Sequence, residues 1–110
     1  MVDDSPTALI VFCTCPDEAS AAQLSETLVH QRLAACVNSI PGLRSTYLWD
    51  GAVQTDQEHL LMMKTSRRRY PALETAIRNT HPYELPEILA VEAALGLPDY
   101  LQWVHDACSP

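Results

Sequence analysis

Two cysteines separated by one residue, Cys13 and Cys15, are the first side chains here equipped for chemistry. On an extended segment, residues two apart point to the same side, so both thiols can reach one ion. Thiolates select soft metals such as Cu(I) or Zn(II). A helix starting just beyond them would favour negative charge on sulfur. The same pair reads equally as two small buried hydrophobes. His81 offers an imidazole, a borderline-soft donor. It becomes a ligand if the fold brings it beside Cys13; otherwise it caps the last carbonyls of a helix. Glu84 and Glu87 flank Pro86. They are oxygen donors for harder ions or, more commonly for Glu, solvated acids of a turn. His59, Met62 and Met63 resemble a soft-metal cluster, but Met62 and Met63 face opposite sides of a strand and cannot share an ion.

Little else supports catalysis. There is no G-x-S-x-G, no GxxxxGK[ST], no GxGxxG and no H-E-x-x-H. Thr14-Cys15-Pro16-Asp17-Glu18 carries acids and no Arg, so it would repel phosphate. The expectation is a protein that is not an enzyme. Seven basic and fourteen acidic residues leave a net charge of −7. Nucleic-acid backbones and anionic membranes are therefore poor partners, because both require clustered Lys and Arg. The one basic run, Arg67-Arg68-Arg69, reads as a solvated helix start.

These groups must be positioned by a short chain. Its 110 residues, 47% hydrophobic, suit a single domain over residues 8–107, with residues 1–7 as a flexible N-terminus. The acidic start, Met1-Val2-Asp3-Asp4, does not resemble a secretory signal. The apolar run Ala8–Cys13 is far shorter than the ~20 residues of a membrane span. A cytoplasmic location with reduced cysteines is expected.

The run from Ala8 to Cys13 reads as a strand buried on both faces. Residues 14–18 read as a turn and residues 17–33 as a helix, with Ala21, Leu24 and Leu28 on one face. Two long arms follow, 36–49 and 52–65, joined at Asp50-Gly51, with a bulge at Pro41-Gly42. A second helix is expected from about Arg68 to Thr80 and is ended by His81-Pro82. A last strand over 87–94 and a terminal helix over 98–107 complete the chain. The order β-α-β-β-α-β plus a helix is an α+β, ferredoxin-like arrangement.

A sheet with helices on one face should alternate apolar and polar residues. Here Leu60 and Met62 are apolar on one side while Leu61 and Met63 are apolar on the other. A second apolar face needs a cover. Another copy of the chain is the favoured one, and the terminal helix with Tyr100, Leu101, Trp103 and Val104 is the alternative.

Several segments carry a family resemblance. His81-Pro82-Tyr83-Glu84-Leu85-Pro86-Glu87-Ile88 resembles the signature of the CutA family of divalent-cation tolerance proteins. Residues 12–18, 32–37, 47–51, 64–65 and 100–103 resemble that family in the same order, so the likeness spans residue 8 to about 105. The resemblance implies a ferredoxin-like homotrimer, similar in assembly to the PII signalling proteins. It also implies a role in tolerance of copper and other divalent metals. Cys13 matches the family's strand-end cysteine, whereas many members carry a small apolar residue at the position of Cys15. Thr80 stands where some members have a second histidine. If the family trimer holds, Tyr47, Trp49, Lys64, Tyr83 and Glu84 are candidates to line a cleft between subunits. Interface packing is the plainer reading of the aromatics.

The expected function is metal tolerance by binding copper or another soft or divalent ion through Cys13, Cys15 and His81, with no organic cofactor. The alternative is a PII-like signalling or scaffold trimer that binds a protein or small ligand, with metal incidental.

Overall fold

The computed structural model describes residues 7–109. The flexible N-terminus expected over residues 1–7 falls, but for Thr7, outside them.

Seven elements follow in chain order: β1 (Leu9–Cys15), α1 (Glu18–His30), β2 (Cys36–Trp49), β3 (Ala52–Thr65), α2 (Tyr70–Thr80), β4 (Leu89–Glu92) and α3 (Pro98–Ala107). The four strands form one antiparallel sheet in the order β2-β3-β1-β4. The ferredoxin-like α+β expectation holds, and the boundaries show what set each element.

β1 runs two residues beyond its apolar stretch. Thr14 and Cys15 pair with Leu60 and His59 of β3, so the expected turn begins only at Pro16. α1 starts at Asp17, whose carboxylate accepts the Ser20 N–H at 2.8 Å. It ends at His30, three residues earlier than expected. Arg32 takes a left-handed conformation, φ 59°, and Leu33 N–H donates to the Leu28 carbonyl at 2.9 Å. That is a Schellman stop without the usual glycine, which is why composition alone extends the helix too far. α2 starts at Tyr70 rather than Arg68. The Ser66 hydroxyl accepts the Arg69 N–H, and Pro71 sits in the first turn. β4 covers only 89–92, pairing with Leu9–Phe12.

The hairpin meets its expectations. Asp50 (φ 51°) and Gly51 (φ 77°) both lie in the left-handed region, as the favoured two-residue turn requires. The β2–β3 register shifts between Ile40 and Leu43, at Pro41-Gly42.

The core lies between helices and sheet. Leu9, Val11, Cys13, Cys15, Leu61 and Met63 present one sheet face to Ala21, Leu24 and Leu28 of α1 and to Leu73 and Ile77 of α2. α3 docks at one end, where Cys108 Sγ lies 3.7 Å from the Thr65 hydroxyl, which donates to the Leu33 carbonyl.

The opposite sheet face is also apolar. Cross-strand pairing places Ile10, Phe12, Ile40, Leu60, Met62, Leu89 and Val91 on it. Leu89 is 63% exposed, Val91 48% and Ile40 45%. The terminal helix does not cover them, so the alternative that it folds over this face is not what the subunit adopts. Met62 and Met63 face opposite sides, as expected.

Candidate metal centre

Three elements converge at the C-terminal end of β1. The strand's pleat turns Cys13 and Cys15 inward together, because they are two residues apart and the helices cover that face. Both are fully enclosed. His81 follows the last residue of α2, and its backbone N–H closes the helix on the Ile77 carbonyl. Its ring does not turn back onto the carbonyls of α2. It reaches β1, with Nε2 2.7 Å from the Thr14 carbonyl and 3.8 Å from Cys15 Sγ. The donor atoms of Cys13, Cys15 and His81 all lie within 4.8 Å of one another. Among the described residues, no other three His, Cys, Asp or Glu side chains form such a group.

The hydrogen bonds fix the imidazole. The Tyr83 backbone N–H donates to His81 Nδ1 at 3.0 Å, so Nδ1 carries the lone pair. The Thr14 carbonyl only accepts, so Nε2 carries the proton. Both bonds require the same neutral tautomer.

The thiols influence each other. The neighbouring Cys15 thiol, and then burial, push the Cys13 thiol well above its ordinary range. Cys13 in turn brings Cys15 below its ordinary value against the opposing effect of burial. Cys15 is therefore the more readily ionised of the two sulfurs. Glu58 and Glu87 add negative potential at Cys13.

Residues 81–86 form a strap across the end of β1. Beyond His81, the Tyr83 ring sits 4.9 Å from the imidazole, and its hydroxyl donates to the buried Glu58 carboxylate at 2.8 Å. Burial first, and this carboxylate second, raise the Tyr83 hydroxyl above the usual tyrosine range. Glu58 was not singled out from sequence. Its position on a strand beside exposed polar residues gives no sign that a tyrosine 25 positions later would bury it.

The remaining candidates are dispersed. Glu84 and Glu87 are exposed. His59 lies opposite Cys15 on β3 without joining the cluster. Arg67 pairs with Glu92 on the surface. Trp49 lies at the hairpin tip and Lys64 near its base, twelve residues along β3 from Trp49's partner Ala52, or about 40 Å. One subunit therefore does not bring Trp49, Lys64, Tyr83 and Glu84 together. A cleft containing all four needs residues from different subunits.

The chain matches the family model described as CutA1 divalent ion tolerance protein over residues 9–107. It is 46% identical over 94 residues to Protein CutA of Mus musculus, covering 86% of this chain and 53% of that protein. The chain thus spans about half the length of the mouse relative. It is 44% identical over 97 residues to the divalent-cation tolerance protein CutA of Thermus thermophilus, covering 88% of this chain and 94% of that one. The crystal structure of CutA from Xylella fastidiosa superposes with a TM-score of 0.91 at 44% identity, covering 93% of this chain and 98% of that one.

Proposed function

The chain belongs to the CutA1 divalent ion tolerance family, and from that premise we propose that it contributes to metal tolerance by binding a copper or similar soft ion at Cys13 and Cys15, beside His81. The observation that carries this reading is the convergence of two thiols and an imidazole within 4.8 Å at one strand end. Sulfur donors suit soft ions. The protein acts by holding the ion rather than by transforming a substrate.

The acting unit in this proposal is a homotrimer. The support is the second apolar sheet face, with Leu89, Val91 and Ile40 about half exposed in the subunit. Such a face is seldom left bare. The four cysteines, all free, suit the reducing cytoplasm as its location. No helix among the described residues is long and apolar enough to cross a membrane.

The test is a titration of the reduced, oxygen-free protein with Cu(I) against a competing chelator, beside the Cys13→Ser/Cys15→Ser double variant. One ion per subunit, lost in the double variant, is expected. Equal binding by both proteins would make the cysteines core filler and move attention to the sheet face as a partner surface.

A further inference from the structure

We propose that this site is a two-sulfur site for a soft ion that accepts two ligands, Cu(I) or Ag(I), and that His81 positions the thiols without joining the metal. The inference rests on the reading that Cys13 and Cys15 bind the ion, and it narrows which ions they accept.

Three observations support it. The first is the state of His81. Nδ1 receives the Tyr83 N–H at 3.0 Å and Nε2 is 2.7 Å from the Thr14 carbonyl, so neither nitrogen has a free lone pair facing the sulfurs. To ligate through Nε2, the ring would move its proton to Nδ1, where it would meet the Tyr83 N–H head-on and leave the Thr14 carbonyl unpartnered. Two hydrogen bonds would be exchanged for one metal bond. Left in place, the ring keeps Nε2, with its proton, 3.8 Å from Cys15 Sγ, where it favours a thiolate.

The second observation is enclosure. Cys13 and Cys15 have no solvent exposure within a single subunit. Water and the side chains of a neighbouring copy therefore do not reach the sulfurs from outside. Zn(II) takes four ligands, or three and a water, and with His81 held by its own hydrogen bonds the described residues offer it two. Glu58, Glu87 and His59 are not in the donor cluster.

The third is span. The two sulfurs lie no more than 4.8 Å apart. With the ~2.3 Å bond of zinc to thiolate as a guide, one ion can touch two sulfurs up to about 4.6 Å apart. Sulfurs inside the observed 4.8 Å bound are close enough for one ion to bridge both. In the binding step two S–H bonds break, two metal–sulfur bonds form and two protons leave to solvent. No electron is transferred.

The experiment is X-ray absorption at the copper edge on the full chain loaded anaerobically with Cu(I). It is accompanied by nitrogen-15 NMR of His81 before and after Ag(I), and by a Zn(II) titration. Two sulfur neighbours, no imidazole scattering, an unchanged Nε2–H tautomer and no stoichiometric Zn(II) binding are expected. An imidazole nitrogen in the shell, or loss of the tautomer on Ag(I) loading, would overturn the two-sulfur assignment while leaving thiol-based binding intact. Four-coordinate Zn(II) held by both sulfurs would do the same. Cu(I) binding that persists unchanged in the Cys13→Ser/Cys15→Ser variant would remove the underlying reading itself. Because these readouts are taken on the unaltered protein, they do not depend on whether a His81 variant folds.

Discussion

Replacing Leu89 with Asp tests whether the second sheet face is an interface. Leu89 lies beside Phe12 on that face and is 63% exposed in the subunit. Fully burying a leucine contributes about 1.5–3 kcal/mol, so covering the exposed part contributes about 1–2 kcal/mol. An aspartate there forfeits that gain and adds the cost of taking a carboxylate out of water, several kcal/mol after relaxation. The sum is about 5 kcal/mol for each subunit. At about 1.4 kcal/mol per factor of ten, each contact weakens by more than a thousandfold. Closed symmetry repeats the lesion in every copy. The subunit's own fold should change little, since the residue is already mostly in water. Size-exclusion chromatography with light scattering at micromolar concentration should show three times 12.2 kDa for the parent chain and a smaller species for the variant. Far-UV circular dichroism checks that the fold persists. Val29→Asp is the control, because Val29 is 41% exposed on α1, away from the sheet. An unchanged mass for Leu89→Asp, or dissociation by Val29→Asp as well, would refute the assignment of this face.

Three further outcomes are expected. Ile77→Ala removes a fully buried side chain between α2 and the sheet and should cost about 2–5 kcal/mol in chemical denaturation, toward the lower end if the site collapses around the smaller residue; an unchanged unfolding midpoint would refute its place in the core. Tyr83→Phe strips the buried Glu58 carboxylate of its hydroxyl donor. It should destabilise the chain by about 1–3 kcal/mol, and unchanged thermal unfolding would mean that water replaces the donor. Metal affinity should rise with pH. The neighbouring Cys15 thiol and burial raise the Cys13 thiol, so a metal must displace its proton. Competition titrations between about pH 6 and pH 8 should show tighter binding at the higher value. Flat affinity would mean that binding releases no thiol proton, and would refute the two-thiolate assignment.

Much of this protein is legible in its residue order. Periodicity and turn residues locate all seven elements, and Asp50-Gly51 and Pro41-Gly42 mark their turn and bulge because only certain residues tolerate those conformations. The second apolar face follows from the strands' failure to alternate. Boundaries were less legible where tertiary contacts set them. α1 stops at a left-handed Arg32 rather than a glycine, and β1 continues to Cys15 because β3 offers it partners.

The candidate site divides in the same way. The spacing of Cys13 and Cys15 determines by itself that they share a side, since the pleat repeats every two residues. Whether His81 joins them depends on how α2 packs against β1, a relation between segments 66 positions apart that no local pattern encodes. The imidazole's tautomer and the burial of Glu58 under Tyr83 likewise exist only once residues 81–83 reach β1 and β3, and both sulfurs are enclosed only once the helices pack on the sheet. Sequence supplies donors through short-range geometry; tertiary structure decides which of them remain free to bind, because hydrogen-bond partners and solvent access are properties of the packed chain.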